Sequence, residues 1–133
     1  MNVLLVEDDL IAQMGVRKIV TKTNQKVHLS VANNGQEAID FLDSQQNPDL
    51  VMLDLNMPVM GGIEFLRNVR LNQRWSDLVV VVLTTSDYEE EVRKCWDMGI
   101  QGYFVKDIDY GKHVENVKTI VNYWSESKKF TTI

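Results

Sequence analysis

Residues 51–62 read VMLDLNMPVMGG, and this stretch decides the fold class. Together with Leu50 it opens on a continuous aliphatic run, Leu50 to Leu53, rather than on an alternating one. Continuous runs of this length are typical of strands that are covered on both faces, and such strands belong to parallel sheets. Asp54 follows the run directly and the loop residues 55–58 (LNMP) come next. A carboxylate at the end of a buried strand needs a chemical reason.

The rest of the chain repeats the pattern of a strand followed by a helix. Further strands are predicted from Val3 to Val6 and from Leu78 to Leu83, with weaker candidates from Lys26 to Ala32 and from Gly102 to Val105. Stretches with helical apolar spacing follow each strand; they contain Ala12 to Val20, Ala38 to Leu42, Gly62 to Asn72, Asp87 to Met98 and Asp109 to Ser125. Five such units predict an α/β fold, a doubly wound five-stranded parallel sheet with helices on both faces.

Length and composition limit the classes of protein that fit. The chain has 133 residues, 44% of them hydrophobic, which suits a single domain. A net charge of −5 disfavours binding of nucleic acid by this chain. The single cysteine, Cys95, is predicted to be a buried core residue without a redox role. No signal peptide and no apolar run of about 18 residues occurs, so the sequence predicts a cytoplasmic protein without a membrane segment.

Polar residues follow the predicted strands at the edge where parallel sheets carry their ligand sites. Glu7 and Asp8 follow the first strand, Asp54 the third, Thr84 the fourth and Lys106 the fifth. Two carboxylates about 4 Å apart repel by about 4 kcal/mol at an effective dielectric constant of about 20, so three of them favour a bound cation. Asp9 is predicted only to cap the first helix.

Mg²⁺ is the predicted cofactor because it prefers oxygen ligands and retains several waters. Asp8 and Asp54 would supply carboxylates, Glu7 would act through water, and the main-chain carbonyl of Asn56 would complete the site. An aspartate beside such an ion can attack phosphorus and become an aspartyl phosphate. Lys106 and the hydroxyl of Thr84 would then bind the other phosphoryl oxygens.

Four motifs closely resemble the receiver domain of two-component response regulators: VLLVEDD at 3–9, LDLNMP at 53–58, LTTS at 83–86 and GYFVK at 102–106. The resemblance implies a flavodoxin-like (βα)5 sheet with strand order 2-1-3-4-5, a receiver domain over residues 1–128, a short tail over 129–133 and no output domain. It implies a signalling domain rather than an enzyme, phosphorylated by a histidine kinase or phosphotransfer protein and limited to self-phosphorylation and slow autodephosphorylation.

The resemblance also assigns roles to individual residues. Asp54 matches the phosphoacceptor, Glu7 and Asp8 the acidic pair, and Asn56 the carbonyl ligand of the metal. Thr84 and Lys106 match the switch residues, and Tyr103 matches the aromatic residue that swings inward when the threonine moves towards the phosphoryl group. A narrower similarity, based on LTTS, on Lys106 and on Tyr123-Trp124, is to small stand-alone receivers that partner phytochrome-type histidine kinases.

Three positions depart from the family pattern. Asp107 follows Lys106 where the family usually has proline, often after a cis bond, so the geometry of this bond stays open. Gly61 stands where many members have aspartate, which predicts a looser turn. Thr85 fills a position that is commonly small, so it is expected to narrow access to the phosphoryl site.

Two rival functions and one interface remain open at the level of sequence. A small Mg²⁺-dependent phosphatase would need a second aspartate where Asn56 stands, and a scaffold role would leave the acceptor residues unused. Five aromatic residues lie in the last two predicted helices and the strand between them, divided between core and interface: Trp96, Tyr103, Tyr110, Tyr123 and Trp124. The resemblance favours a homodimer or partner docking there.

Overall fold

Five strands and five helices alternate along the chain, in a computed structural model that describes residues 1–44 and 46–127. The strands are β1 (Asn2–Val6), β2 (His28–Ala32), β3 (Leu50–Leu53), β4 (Val80–Thr84) and β5 (Gly102–Val105). The helices are α1 (Leu10–Thr23), α2 (Gly35–Asp43), α3 (Gly62–Leu71), α4 (Glu89–Asp97) and α5 (Tyr110–Glu126). The predicted tail, residues 129–133, lies outside the described residues, as does residue 128 at the end of the predicted domain.

All pairs of neighbouring strands are parallel, in the order β2-β1-β3-β4-β5. The predicted α/β fold and its strand order 2-1-3-4-5 are therefore confirmed. The weaker, alternating strand β2 is at one edge of the sheet and β5 at the other. Side chains of β3 and β4 are buried throughout, as their continuous aliphatic runs predict.

Two apolar layers cover the two faces of the sheet. On one face Phe65, Leu66 and Val69 of α3 pack with Cys95 of α4 against the strands. On the other face α1 and α5 pack over the sheet; their buried residues are Val16, Ile19, Val20, Val117, Ile120 and Val121. The prediction that Cys95 is a core residue is confirmed, because its side chain has no exposed surface.

Two predicted strand starts are too early, because local turns use the backbone there. The amide of Val27 donates to the carbonyl of Asn24, and β2 begins only at His28. The amide of Leu78 donates to the carbonyl of Trp75, and β4 begins at Val80. An alternating pattern predicted strand in the first place and a continuous apolar run in the second, whereas backbone hydrogen bonds decide where pairing starts.

The helix ends follow the expected capping chemistry. Asp9 accepts a hydrogen bond from the amide of Ile11 at the start of α1, and Asn34 accepts one from Glu37 at the start of α2. Gly99 ends the α4 turn with φ at 75°, a conformation that favours glycine. The described residues contain no cis peptide bond, so the Lys106–Asp107 bond is trans.

No helix within residues 1–44 and 46–127 is both long and apolar enough to span a membrane.

Candidate functional site

Three carboxylates meet at the carboxyl ends of β1 and β3. Oxygen atoms of Glu7, Asp8 and Asp54 all lie within 4.8 Å of one another. Glu7 and Asp54 are buried, with Asp54 only 7% exposed, whereas Asp8 is exposed to solvent. The parallel pairing of β1 with β3 explains the convergence, because Val6 is beside Leu53 and the acidic residues follow directly on both strands.

Lys106 neutralises one of the three charges. Its ammonium group pairs with Oε1 of Glu7, and both side chains are largely shielded from solvent. The other oxygen of Glu7 accepts a hydrogen bond from the amide of Asp9 at 3.2 Å. Within the part of the chain that the structure describes, no side chain or amide donates to the Asp54 carboxylate, and this carboxylate remains available for chemistry.

Thr84 ends β4 at the same edge and is fully buried. Its hydroxyl oxygen accepts a long hydrogen bond of 3.4 Å from the amide of Ser86. The amide of Lys106 donates to the carbonyl of Thr84 at 2.7 Å, so the two predicted switch residues are adjacent through the backbone. Among the described contacts Thr84 makes no hydrogen bond to Asp54.

Tyr103 is half-buried on the α4 side of the sheet. Its hydroxyl donates to the carbonyl of Ser86 at 2.8 Å, which ties β5 to the loop after Thr84. Burial is the main reason that the pKa of Tyr103 is raised, and negative groups nearby, including Glu91, add to it. The phenol therefore stays protonated at neutral pH and serves as a donor.

The loop after Asp54 is tightly folded. The amide of Met60 donates to the carbonyl of Pro58 at 2.8 Å, and Val59 between them has φ at 68°. This three-residue turn fits a γ-turn, a strained conformation for a β-branched residue. Asn56 lies exposed in this loop, beside the acidic cluster in sequence.

The two glycines after the loop have different roles. A Cβ on Gly62 would lie 2.4 Å from the carbonyl oxygen of Asp54, so only glycine fits beside the backbone of Asp54. Gly61 is the N-cap of α3 without a side-chain hydrogen bond, whereas an aspartate could cap there. The observed turn is nevertheless closed, because the amide of Gly62 donates to the carbonyl of Leu55 at 3.0 Å.

Two contacts at the site were not predicted from the sequence. Gln13 of α1 is buried and bonds to the main-chain carbonyl of Glu7 at 2.6 Å. The sequence did contain a signal for this contact, because Gln13 is a polar residue three positions before Val16 on the apolar face of α1. The hydroxyl of Ser86 donates to Glu91, so one member of the acidic 89–91 run is not simply solvated.

The donor set fits a hard divalent cation. Three carboxylates lie within ligand reach of one another, Lys106 balances one of them, and the charge that remains is negative. Mg²⁺ prefers oxygen ligands and retains several waters, and of the three carboxylates that of Asp8 is exposed to solvent. The fold and the site together define a class: doubly wound α/β proteins with an acidic, cation-compatible crevice and a facing lysine at the carboxyl edge of the sheet.

The sequence pattern of the family described as response regulator receiver domain matches residues 3–118. The chain therefore belongs to the family of response regulator receiver domains of two-component systems.

Curated relatives are regulators of this kind. The nitrate/nitrite response regulator protein NarL of Escherichia coli is 33% identical over 108 residues, which cover 81% of this chain and 49% of NarL. The transcriptional regulatory protein DegU of Brevibacillus brevis is 29% identical, over 90% of this chain and 49% of DegU. The chain thus spans about half the length of these relatives. The two-component response regulator ORR12 of Oryza sativa is 28% identical, over 92% of this chain and 96% of ORR12.

Solved structures agree with the fold over almost the whole chain. The Mn²⁺-bound form of response regulator Rcp1 superposes with a TM-score of 0.90 at 29% identity, covering 98% of this chain and 99% of that one. The phosphorylated cyanobacterial phytochrome response regulator RcpA gives a TM-score of 0.90 at 25% identity, with 96% of both chains covered.

Proposed function

We propose that this chain is a phosphorylation-dependent switch in which Asp54 accepts a phosphoryl group from a histidine kinase or a phosphotransfer protein. One observation carries the proposal: Asp54 is an almost buried carboxylate with no protein donor among the described residues, and it lies beside Asp8 and Glu7, which pairs with Lys106. In the transfer, an oxygen of Asp54 forms a bond to phosphorus, the phosphorus–nitrogen bond of the donor breaks, and the histidine nitrogen retains the electron pair.

Asp8 and Asp54 would hold Mg²⁺ together with the carbonyl of Asn56, and Glu7 would act through water. When bound, the ion would supply positive charge to the phosphoryl oxygens. The similar response regulator Rcp1 has a Mn²⁺-bound form, which supports binding of a divalent ion by this chain. Lys106 is already held at the crevice by Glu7 and would exchange this partner for a phosphoryl oxygen.

The switch would be made by Thr84 and Tyr103. The Thr84 hydroxyl makes only a long hydrogen bond to the Ser86 amide, so it could turn towards a phosphoryl oxygen at little cost. Tyr103 would then be favoured in the position that it has in this structure, with its hydroxyl on the Ser86 carbonyl. Two arrangements a few kcal/mol apart are enough for a modification to redistribute them.

The donor protein would contact an exposed apolar rim around the crevice. Leu10, Ile11 and Met14 begin α1 next to the acidic pair, and all three side chains are largely exposed. Val59 and Ile108, in the loops after β3 and β5, are exposed as well. Apolar side chains around a charged crevice suit docking of a partner's apolar helix surface.

The output surface would be α4, β5 and α5. Trp96, Tyr110 and Tyr123 are exposed there, so the aromatic residues that the sequence divided between core and interface lie partly on the surface. Phe104, Tyr123 and Trp124 line a groove between β5 and α5. Homodimerisation or partner docking through this face is a proposal. A receiver domain over residues 1–128 and a cytoplasmic location are proposed as well.

A kinase of the phytochrome type is the proposed donor class. The similarity to RcpA, a cyanobacterial phytochrome response regulator, supports this choice and adds to the sequence features LTTS and Tyr123-Trp124.

The test is to incubate the protein with acetyl phosphate and Mg²⁺ and to measure intact mass. Wild type should gain the mass of one phosphoryl group, and Asp54→Asn should gain none. Asp9→Asn is the matched control, because Asp9 is a neighbouring carboxylate that caps α1, and it should be labelled like the wild type. Labelling of Asp54→Asn at the wild-type rate would show that another residue is the acceptor.

A further inference from the structure

Gln13 is a buried polar side chain for which the phosphoryl chemistry has no direct use. Its side chain is 9% exposed and lies on α1, one turn after the acidic pair. The amide nitrogen Nε2 donates to the main-chain carbonyl of Glu7 at 2.6 Å and to Oδ1 of Asn33 at 2.7 Å. Both hydrogens of the amide group are therefore used.

The hydrogen bonds of Gln13 continue to the start of α2. Nδ2 of Asn33 donates to Oε1 of Glu37 at 3.0 Å, and the Asn33 amide donates to the same oxygen at 3.2 Å. A carboxylate only accepts hydrogen bonds, so Nδ2 of Asn33 must face Glu37 and Oδ1 must face Gln13. Each amide orientation is thereby fixed, and the donor end of Gln13 must point at Glu7.

These hydrogen bonds complete the set of contacts that holds the peptide group between Glu7 and Asp8 in place. The amide of Glu7 donates to the carbonyl of Ala32 at 3.0 Å, its carboxylate pairs with Lys106, and its carbonyl is held by Gln13. The carboxylate of Asp8 is exposed, and the position of this peptide group sets the direction in which the carboxylate points. Without the restraint, the repulsion among carboxylates within 4.8 Å would turn Asp8 away from Asp54.

We propose that Gln13 is a positioning residue for the cation site: it holds the Glu7–Asp8 peptide so that the Asp8 carboxylate faces Asp54 in the metal-free protein. The inference rests on the proposed function, because it concerns the cation that would accompany phosphorylation. Residues that orient a metal ligand without contacting the metal typically change metal affinity by about 10- to 100-fold when they are substituted. We expect the effect of substituting Gln13 to lie in that range.

The decisive measurement is the dissociation constant of Mg²⁺ for the metal-free protein, by titration calorimetry. Gln13→Met keeps the length of the side chain and removes both donors, and it should weaken Mg²⁺ binding about 10- to 100-fold. Ile19→Val, a buried substitution on the same helix, is the control for a general loss of stability and should leave the constant unchanged.

A second readout needs no metal. Amide hydrogen exchange at Asp8 and Asp9 should be faster in Gln13→Met than in Ile19→Val. Should Gln13→Met fail to fold, Asn33→Ala tests the same hydrogen bonds from an exposed position and should weaken Mg²⁺ binding in the same direction.

The outcomes separate this inference from the proposed function. Wild-type affinity in Gln13→Met, or an equal loss in Ile19→Val, would overturn the positioning role while phosphorylation of Asp54 still stands. A wild-type protein that binds no Mg²⁺ and takes up no phosphoryl group would overturn both.

Discussion

At the level of single residues, Lys106 neutralises the charge of Glu7. Under the proposed function it would also bind a phosphoryl oxygen. The side chains of the pair are 19% and 4% exposed. Breaking a buried ion pair by removing one partner typically costs about 3–5 kcal/mol, because the other charge is left without a counter-charge. Here the amide of Asp9 still donates to Glu7, which places the expected loss at the lower end.

Lys106→Met should therefore lower the free energy of unfolding by about 3 kcal/mol in urea denaturation without metal. Added Mg²⁺ should stabilise this variant more than the wild type, because the ion no longer competes with an ammonium group for Glu7. Lys94→Met is the matched control: Lys94 pairs with Glu90 on the exposed surface of α4, and its loss should change stability by less than about 0.5 kcal/mol. Equal effects of the two substitutions would contradict the role given to the buried pair.

The convergence of Asp8, Asp54 and Lys106 at one edge of the sheet was predictable, whereas the supporting contacts were not. Asp8, Asp54 and Lys106 follow strands of a parallel sheet, so the topology alone brings them to one edge. Gln13 and Ser86 act through hydrogen bonds to Asn33 and Glu91, and these partners become neighbours only when helices and loops pack. Local sequence patterns carry no information about such pairs, apart from the signal of a polar residue on an apolar helix face.

At the level of elements, glycine allows α3 to begin directly against the backbone that follows β3. A Cβ at Gly62 would lie 2.4 Å from the carbonyl oxygen of Asp54 and 2.8 Å from Cα of Leu55. Both atoms belong to the backbone, so neither can move away by changing a rotamer. This close approach fixes the loop that contains Asn56 and Val59. Position 62 therefore needs glycine, whichever residue stands at position 61.

Gly62→Ala should destabilise the protein by about 2 kcal/mol or more, as overpacking does, and should slow labelling of Asp54 by acetyl phosphate because the acceptor's backbone must shift. The matched control is Gly15→Ala on α1, where an added Cβ would meet no atom within 4 Å. This control should gain about 0.5–1 kcal/mol from helix propensity and be labelled normally. Urea denaturation and intact mass measure both effects, and a harmless Gly62→Ala would show that the loop is more adaptable than its contacts indicate.

The ends of elements were predicted less well than their existence. Three aliphatic runs and two weaker candidates together predicted the correct number and type of strands, yet β2 and β4 each start two residues later than the sequence pattern indicated. Backbone hydrogen bonds from Val27 and Leu78 to nearby turn carbonyls remove those residues from the sheet. Helix starts were easier to predict where a side chain caps them, as Asp9 and Asn34 do.

For the whole molecule, the titration of partly buried groups sets a pH window of stability. Burial lowers the pKa of His113, and Lys106 adds to this effect. Burial raises the pKa of Cys95 to about 11, with a further contribution from Glu91, and burial also raises the pKa of Tyr103. The folded state therefore resists protonation of the histidine and ionisation of the thiol and the phenol.

The sign of each contribution follows from proton linkage. Below about pH 6.5 the unfolded chain protonates His113 more fully than the folded protein does, so this group makes stability fall with falling pH until the folded state is protonated as well. Above about pH 8.5 the unfolded chain ionises Cys95 while the folded protein keeps the thiol, so stability falls with rising pH. These groups together favour a maximum of stability between about pH 6.5 and about pH 8.5, because there the folded and unfolded states bind the same number of protons at these groups.

His113→Gln should reduce the loss of unfolding free energy between about pH 7 and pH 5, relative to the wild type, because the unfolded chain no longer gains that proton. Urea denaturation across this range measures the difference, and His28→Gln is the matched control for the loss of an exposed imidazole. Cys95→Ala should reduce the corresponding loss above about pH 8.5, although the cavity lowers stability at every pH, so the slope and not the absolute value is compared. A slope in His113→Gln identical to that of the wild type would mean that carboxylates alone govern the stability at acid pH, and that the partial burial of His113 has no consequence for folding.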